Sequence, residues 1–477
     1  MQNLKKIISE IKKAEKNKKV DLLELKKLKK YLNEICKTLG KYDEILFFVQ
    51  PVGRNYINFE KEFKLFLRKI KIDDKYCPSF DYPEIEKVDI KDVDTVILKL
   101  SMLKEKVYKE CACDDIYKII SESLEIALAK VNFLKELKLK NFKKAFKYSK
   151  IIYGDVSEEL FNKANKAYKE KLKFLKNRPE KSALENKLEG INFDALGIKK
   201  YFELALEKSG LKNNYKVLID DKISSIKINE KDFRYNCPVI SIPSEIKASG
   251  IRIMQLIAHE TGKHATTNYY HKKQGLVAEI GRSWNVYSEG LAKKNENEIK
   301  KIILENSYVD AEYDFSMYYI LAIEKIKKGW NFNKVYKYIF NKCYKEYLCD
   351  CGYYNKKNIN KKKVIEKDCE KKSVDISKRI CVRVFKSFDP KKGGMYFPKD
   401  KIYFEGEVII RELNKIKSGE KLEKYLYLSR VDAKYIPALI KIGAYKYEKD
   451  FNRIKEIAER LWNNKEFRES ILNHKKN

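Results

Sequence analysis

The chain has 477 residues, 44% of them hydrophobic, enough to bury a sizeable core and to hold two or three lobes. Its formal net charge is +34, but lysine supplies nearly all of the basic side chains, and Lys, Asn, Ile and Tyr are abundant together. Nucleic-acid readers favour arginine at specific contacts, and no zinc finger, helix-turn-helix or aromatic RNA-binding signature occurs, so the charge points to acidic partners rather than to specific nucleic acid. Residues 1–42 read as an N-terminal amphipathic hairpin, with Ile7, Ile8, Ile11 and then Leu22, Leu23, Leu25 and Leu28 near helical spacing. Residues 43–190 form a mainly helical lobe, its long run from about 114 to 176 punctuated near Gly154. A helix follows over 193–210. The period then changes: Tyr215–Ile219, Ser224–Ile228 and Val239–Ile242 read as short strands. From about Lys247 a helix carries Ile251, Met254, Leu256 and Ile257 into His259. Residues 294–340 are helical, Gly393 and Gly394 mark a loop, and 406–475 return to helix. The fold class is α+β and predominantly helical: a zincin-like core over 191–477 with a short antiparallel sheet and a metal-bearing helix.

Three of the four histidines lie in one window, His259-Glu260-Thr261-Gly262-Lys263-His264 and, beyond Tyr269 and Tyr270, His271. Imidazole is the commonest protein ligand for transition metals. The helical zinc motif H-E-x-x-H sets two histidines at i and i+4 with the glutamate as general base. Here the spacing is i+5, which on a regular helix leaves the side chains about 140° apart. A π-type bulge, eased by Gly262, would bring them to one face. A peptidase site needs a third ligand and an open position. His271, Glu279 and Glu289 are the candidates. Glu289 lies in the apolar segment Val286-Tyr287-Ser288-Glu289-Gly290-Leu291-Ala292, where an unpaired carboxylate would be costly and a zinc ion would be its partner.

These residues resemble the microtubule-associated tyrosine carboxypeptidases and their bacterial "QEGLA motif" relatives. Matching that pattern are the H-E-x-G-x-H run, Asn268, Gln274-Gly275-Leu276 and Ser288-Glu289-Gly290-Leu291-Ala292. Upstream, Pro78-Ser79-Phe80-Asp81-Tyr82 and Asp220-Asp221-Lys222-Ile223-Ser224-Ser225 are similar to family segments. Downstream, Arg383-Val384-Phe385 and Phe397–Gly406 are too. Departures are Lys263 at a position usually small or hydroxylated, Ser288 before the ligand glutamate, and a lysine- and cysteine-rich stretch over 341–372 that reads as an insert.

The resemblance implies a zinc metallocarboxypeptidase. His259, His264 and Glu289 would hold Zn2+ and Glu260 would be the base. Arg383, with Lys399 and Tyr403, would line the pocket for the substrate's terminal carboxylate. The partners would be peptide or protein C-terminal tails, acidic ones favoured, with an aromatic last residue such as tyrosine preferred. A zinc endopeptidase or dipeptidyl-peptidase is the alternative. A non-catalytic zinc-stabilised binding protein for acidic partners is the second, against which Glu260 argues, since a structural site needs no base. No run approaches a membrane span, and no secretion signal is read at the N-terminus. The ten cysteines include no C-x-x-C and read as reduced thiols, so a cytoplasmic location is expected. Cys343, Cys349, Cys351 and Cys369 match no zinc-module spacing.

Overall fold

The computed structural model describes the chain except for residues 43–44, 46–58, 71–72, 74, 81–82, 112–113, 178–180, 222, 224, 230–236, 277, 306–314, 352–361, 446–450 and 475–477. Asp81, Tyr82, Cys113, Lys222, Ser224 and the middle of the 341–372 stretch therefore lie outside the described residues.

The longer helices before the sheet are α1 (Gln2–Lys16), α2 (Leu22–Leu39), α3 (Phe59–Lys69), α4 (Ile90–Glu110), α5 (Asp114–Lys138), α6 (Phe142–Tyr153), α7 (Glu158–Lys176) and α8 (Ala195–Ser209). Their starts are chemically marked. Asp21 caps α2 by accepting from the Leu23 and Glu24 amides, Asp89 caps α4, and Ser157 caps α7. Helix α1 buries Leu4, Ile7, Ile8, Ile11 and Ala14 along one stripe, packed on the helix Ile436–Lys441. Leu22 and Leu23, expected on the apolar face of the hairpin, are exposed in the first turn of α2; its buried stripe starts at Leu28.

The strands are β1 (Asn192–Phe193), β2 (Lys216–Asp220), β3 (Lys227–Asn229), β4 (Val239–Pro243) and β5 (Ala248–Ser249). β1 pairs with β5, and the main sheet runs β2-β4-β3. It is mixed, not antiparallel as expected. β4 lies parallel to β2, with Leu218 opposite Ser241, and antiparallel to β3, with Ile228 opposite Ile240. Burial decides this order: all five residues of Val239–Pro243 are buried, so β4 takes the centre and leaves the more polar β2 and β3 as edges.

After the sheet come α9 (Gly250–Leu256), a π-helical segment Ile257–Ala265, α10 (Thr266–Lys273), α11 (Trp284–Ile303), α12 (Ser316–Lys327), α13 (Phe332–Asp350), α14 (Lys362–Val384), α15 (Lys401–Asn414) and α16 (Gly419–Leu428), followed by short helices to Leu472. The architecture is thus predominantly helical with a small sheet. Two apolar cores hold it. The larger takes side chains from 1–42, 43–190 and 191–477 alike. The smaller joins α3, α7, α12, α13 and α14. The 341–372 stretch, read as an insert, supplies the end of α13 and the start of α14, which pack along each other. No described helix is long and apolar enough to cross a membrane.

Candidate metal centre

The helix that leads into His259 starts where the Ser249 hydroxyl accepts from the Arg252 amide, closing the first turn of α9. From Ile257 the winding widens to i→i+5 over nine residues, well beyond a single bulge. Side chains hold carbonyls along it. Asn295 Nδ2 donates to Ala258 O at 3.1 Å, Thr266 Oγ1 to Thr261 O at 2.8 Å, and the Tyr215 hydroxyl to Ala265 O at 2.8 Å. Gly262 serves contact rather than backbone freedom: a Cβ there would lie 3.1 Å from Lys455 O.

The wide winding brings the His264 ring edge-on to that of His259. Their Nε2 atoms are 3.1 Å apart and their ring centroids 4.8 Å apart. Glu289, from α11, reaches both rings: Oε2 is 3.7 Å from His259 Nε2 and Oε1 is 3.7 Å from His264 Nε2. Tetrahedral zinc with bonds near 2.0–2.1 Å needs donors about 3.3–3.4 Å apart. The three donors fit that requirement, and among the described residues they are the one His/Cys/Asp/Glu group with metal-binding spacing. Glu289 Oε2 is buried without a hydrogen-bond donor, as a ligand oxygen awaiting a cation would be.

The outer nitrogens of both rings are held. Glu296 Oε1 lies 2.7 Å from His259 Nδ1, and Ser288 Oγ lies 3.3 Å from His264 Nδ1. The Glu296 carboxylate can only accept from Nδ1 of His259, while the Ser288 hydroxyl can donate to or accept from Nδ1 of His264; both contacts orient the rings with Nε2 inward. Glu296 is itself held by Arg252 at 3.0 Å and Lys293 at 2.9 Å. Sequence reasoning missed Glu296. The available signal was its spacing, two helical turns after Glu289 on the same face of α11.

The electrostatics follow from burial and crowding. Burial pushes the Glu260 carboxyl up to about 7; His259 opposes this, while Glu289 and Glu296 add to it. Burial likewise raises Glu289, against His259, Lys293 and Lys399. For His264, burial and then the neighbouring His259 push the pKa well below its ordinary value, favouring the neutral ring that binds metal. In His259, burial is outweighed by Glu296, and the pKa rises. A divalent cation among these donors would draw the carboxylates back toward ionisation.

The other third-ligand candidates are occupied elsewhere. His271 is buried, donates through Nε2 to Ala278 O at 3.1 Å and accepts the Arg430 amide at Nδ1, 3.2 Å away. Burial pulls its pKa down to about 4, so it is a neutral core histidine. Glu279 is exposed and pairs with Arg430 at 3.5 Å. The fourth histidine, His474, stacks on Phe193. Lys263, the odd residue of the motif, is fully buried. Its ammonium donates to Thr267 Oγ1 and to Leu426 O and faces the Tyr427 ring, while burial lowers its pKa to about 7.

Arg383, Lys399 and Tyr403 come together where α14 ends and α15 begins. Arg383 grips Asp400 with two nitrogens, at 3.1 and 2.7 Å, and reaches the Tyr319 hydroxyl at 3.3 Å. Its guanidinium is thus engaged within the protein at Asp400 and Tyr319. Lys399 and Tyr403 both feel the charge of Glu289. Burial pulls Lys399 down to about 8, with Asp400 opposing, and pushes Tyr403 up. The glycine contact that brings α15 beside Glu289 joins Gly290 and Gly406: a Cβ on Gly290 would stand 2.3 Å from Gly406 O.

Residues 66–347, more than half of the chain, match the family described as microtubule-associated tyrosine carboxypeptidase, and the chain belongs to that family. Family membership implies carboxypeptidase-type peptidase activity. The matched span holds His259, His264, His271, Glu260, Glu289 and Glu296, and ends before Arg383, Lys399 and Tyr403. No curated protein matches the chain.

Proposed function

We propose that this protein is a zinc metallocarboxypeptidase that removes a single C-terminal residue, with tyrosine or another aromatic preferred, from acidic peptide or protein tails. The observation that carries the reading is the convergence of His259 Nε2, His264 Nε2 and Glu289 on one point beside the buried Glu260. His259, His264 and Glu289 hold the ion. Bound zinc supplies Lewis acidity toward a peptide carbonyl and toward water.

The chain's own residues do the rest. Glu260 takes the proton of the attacking water and passes it to the leaving amine. Glu296 and Ser288 keep the imidazoles aimed inward. Lys399 and Tyr403 are assigned to the substrate's terminal carboxylate, with Arg383 holding Asp400 and Tyr403 in place beneath them. The zincin-like reading assigns the extended tail to β3, an edge strand among the described residues, which packs against the π segment. Residues 191–477 supply the catalytic core, 43–190 a helical lobe and 1–42 an extension. The cationic surface, +34 overall, would draw acidic tails. The described cysteines are free thiols, in keeping with a cytoplasmic setting.

The test uses the zinc-loaded protein and two peptides that share an acidic sequence ending in tyrosine, one with a free C-terminus and one amidated. Mass spectrometry should find loss of one residue from the free acid and none from the amide. Internal cuts in the amide would reject the carboxypeptidase reading in favour of an endopeptidase.

A further inference from the structure

Two sulfur atoms meet where α13 ends and α14 begins. Cys351 follows the last residue of α13, its amide bonded to Tyr347 O at 2.9 Å. Cys369 lies near the start of α14, and its Sγ is 3.7 Å from that of Cys351. The two differ in access. Cys351 is partly exposed, whereas Cys369 is fully buried, as are Cys343 and Cys381 in the smaller core.

We propose that Cys351 and Cys369 form a reversible oxidation site that closes to an intramolecular disulfide with a peroxide as oxidant. Closure brings the sulfurs from 3.7 Å to about 2.05 Å. The exposed Cys351 reacts first: its thiolate attacks a peroxide oxygen, the O–O bond breaks, and the departing hydroxide takes up the thiol proton as water. Cys369 then attacks Cys351 Sγ, the S–O bond breaks, and a second water leaves with the Cys369 proton. Two thiols and one hydrogen peroxide give one disulfide and two waters. Burial pushes the Cys369 thiol up to about 12, with Cys351 adding to the rise, so Cys369 does not react first; Lys372 favours its thiolate, and the 3.7 Å approach of the two sulfurs places it to attack the oxidised Cys351.

The bond would tie α13 to α14, the two helices that pack along each other in the smaller core. Helix α14 ends beside Arg383, whose grip on Asp400 supports Lys399 and Tyr403. Oxidation would therefore stiffen the base on which the proposed pocket is mounted.

The full-length protein is treated with stoichiometric hydrogen peroxide, its remaining thiols are alkylated, and it is digested without reduction for mass spectrometry. The expected product is a cross-linked peptide pair containing Cys351 and Cys369, two hydrogens lighter than the separate thiols and released by dithiothreitol. The melting temperature should rise on oxidation and fall back on reduction. Cys351→Ser and, separately, Cys369→Ser should each abolish the cross-link and the peroxide-induced shift. Sulfinic acid at Cys351 with Cys369 left alkylated, a cross-link through Cys349 instead, or a shift that persists in Cys351→Ser would overturn the proposal.

Discussion

Gly290 and Gly406 meet backbone to backbone where α11 crosses α15: a Cβ on Gly406 would stand 2.1 Å from Val286 O, and one on Gly290 would stand 2.3 Å from Gly406 O. Carbonyl oxygens cannot move aside as a flexible side chain would. The crossing sets Glu289, one residue before Gly290, against the helix that carries Tyr403. Gly290→Ala or Gly406→Ala should force the helices apart and cost about 2–3 kcal/mol of stability. Chemical denaturation would measure this. An alanine variant as stable as the parent would mean that the helices do not cross this closely.

Glu296 is expected to act through His259. Glu296→Gln should weaken zinc binding by roughly 10–100-fold, because the hydrogen bond that orients and enriches the imidazole is lost. Glu289→Ala should lose the ion outright, whereas His271→Ala should retain it. Competition with a chromophoric chelator separates the three. Full zinc occupancy in Glu289→Ala would remove that residue from the ligand set.

Glu260 points to a different outcome. Glu260→Gln should keep zinc and fold but lose turnover by at least about 100-fold, since general acid–base groups contribute about that or more. Metal content and peptide hydrolysis are read on the same sample. Near-normal turnover would assign the proton transfers elsewhere.

Arg383 and Lys399 separate support from recognition. Arg383→Ala would leave Asp400, 3% exposed, without its principal partner and should destabilise the protein by about 3 kcal/mol or more. Lys399→Ala should preserve the melting temperature better and raise KM for free-acid peptides. High salt should weaken an acidic tail more than a neutral one. If Lys399→Ala leaves KM unchanged while Arg383→Ala raises it without loss of stability, the roles are reversed.

Asp155 provides a pH-dependent contribution outside the site. Burial raises its carboxyl, but hydrogen bonds from Tyr396, Lys150 and Lys327 outweigh this and hold it at about 2. A folded pKa below the unfolded value of about 3.9 stabilises the protein above that value, and the contribution is lost as pH falls through 2. Asp155 is partly exposed, so the effect is discounted to roughly 1 kcal/mol. Asp155→Asn should be less stable at neutral pH, and the gap should close toward pH 2. A gap that persists unchanged in acid would assign it to packing rather than charge.

The candidate centre was legible in the chain because its donors are chemically rare and closely spaced. His259, Glu260 and His264 are local, and an i+5 spacing implies a departure from regular winding. The length of the π segment was not legible, since it depends on Asn295 and Tyr215, which approach from elsewhere to hold its carbonyls. The choice of Glu289 over His271 and Glu279 rested on its apolar segment and on the family resemblance, and the fold adds where the other two side chains go. All three are acceptable ligands by type, and only packing shows His271 spent on Ala278 and Glu279 paired with Arg430. The mixed sheet shows the same limit, because strand order depends on which strand is buried on both faces.

What the sequence alone determined was the helical class, the candidate metal-ligand residues and the family, because periodicity and residue type are local properties. Tertiary structure decided how Glu289 meets both imidazoles, which groups lie against their outer nitrogens, and that Arg383 is bound to Asp400. Those choices rest on distances between segments far apart in the chain, and it is burial that sets whether a charge is spent inside the protein or left for a substrate.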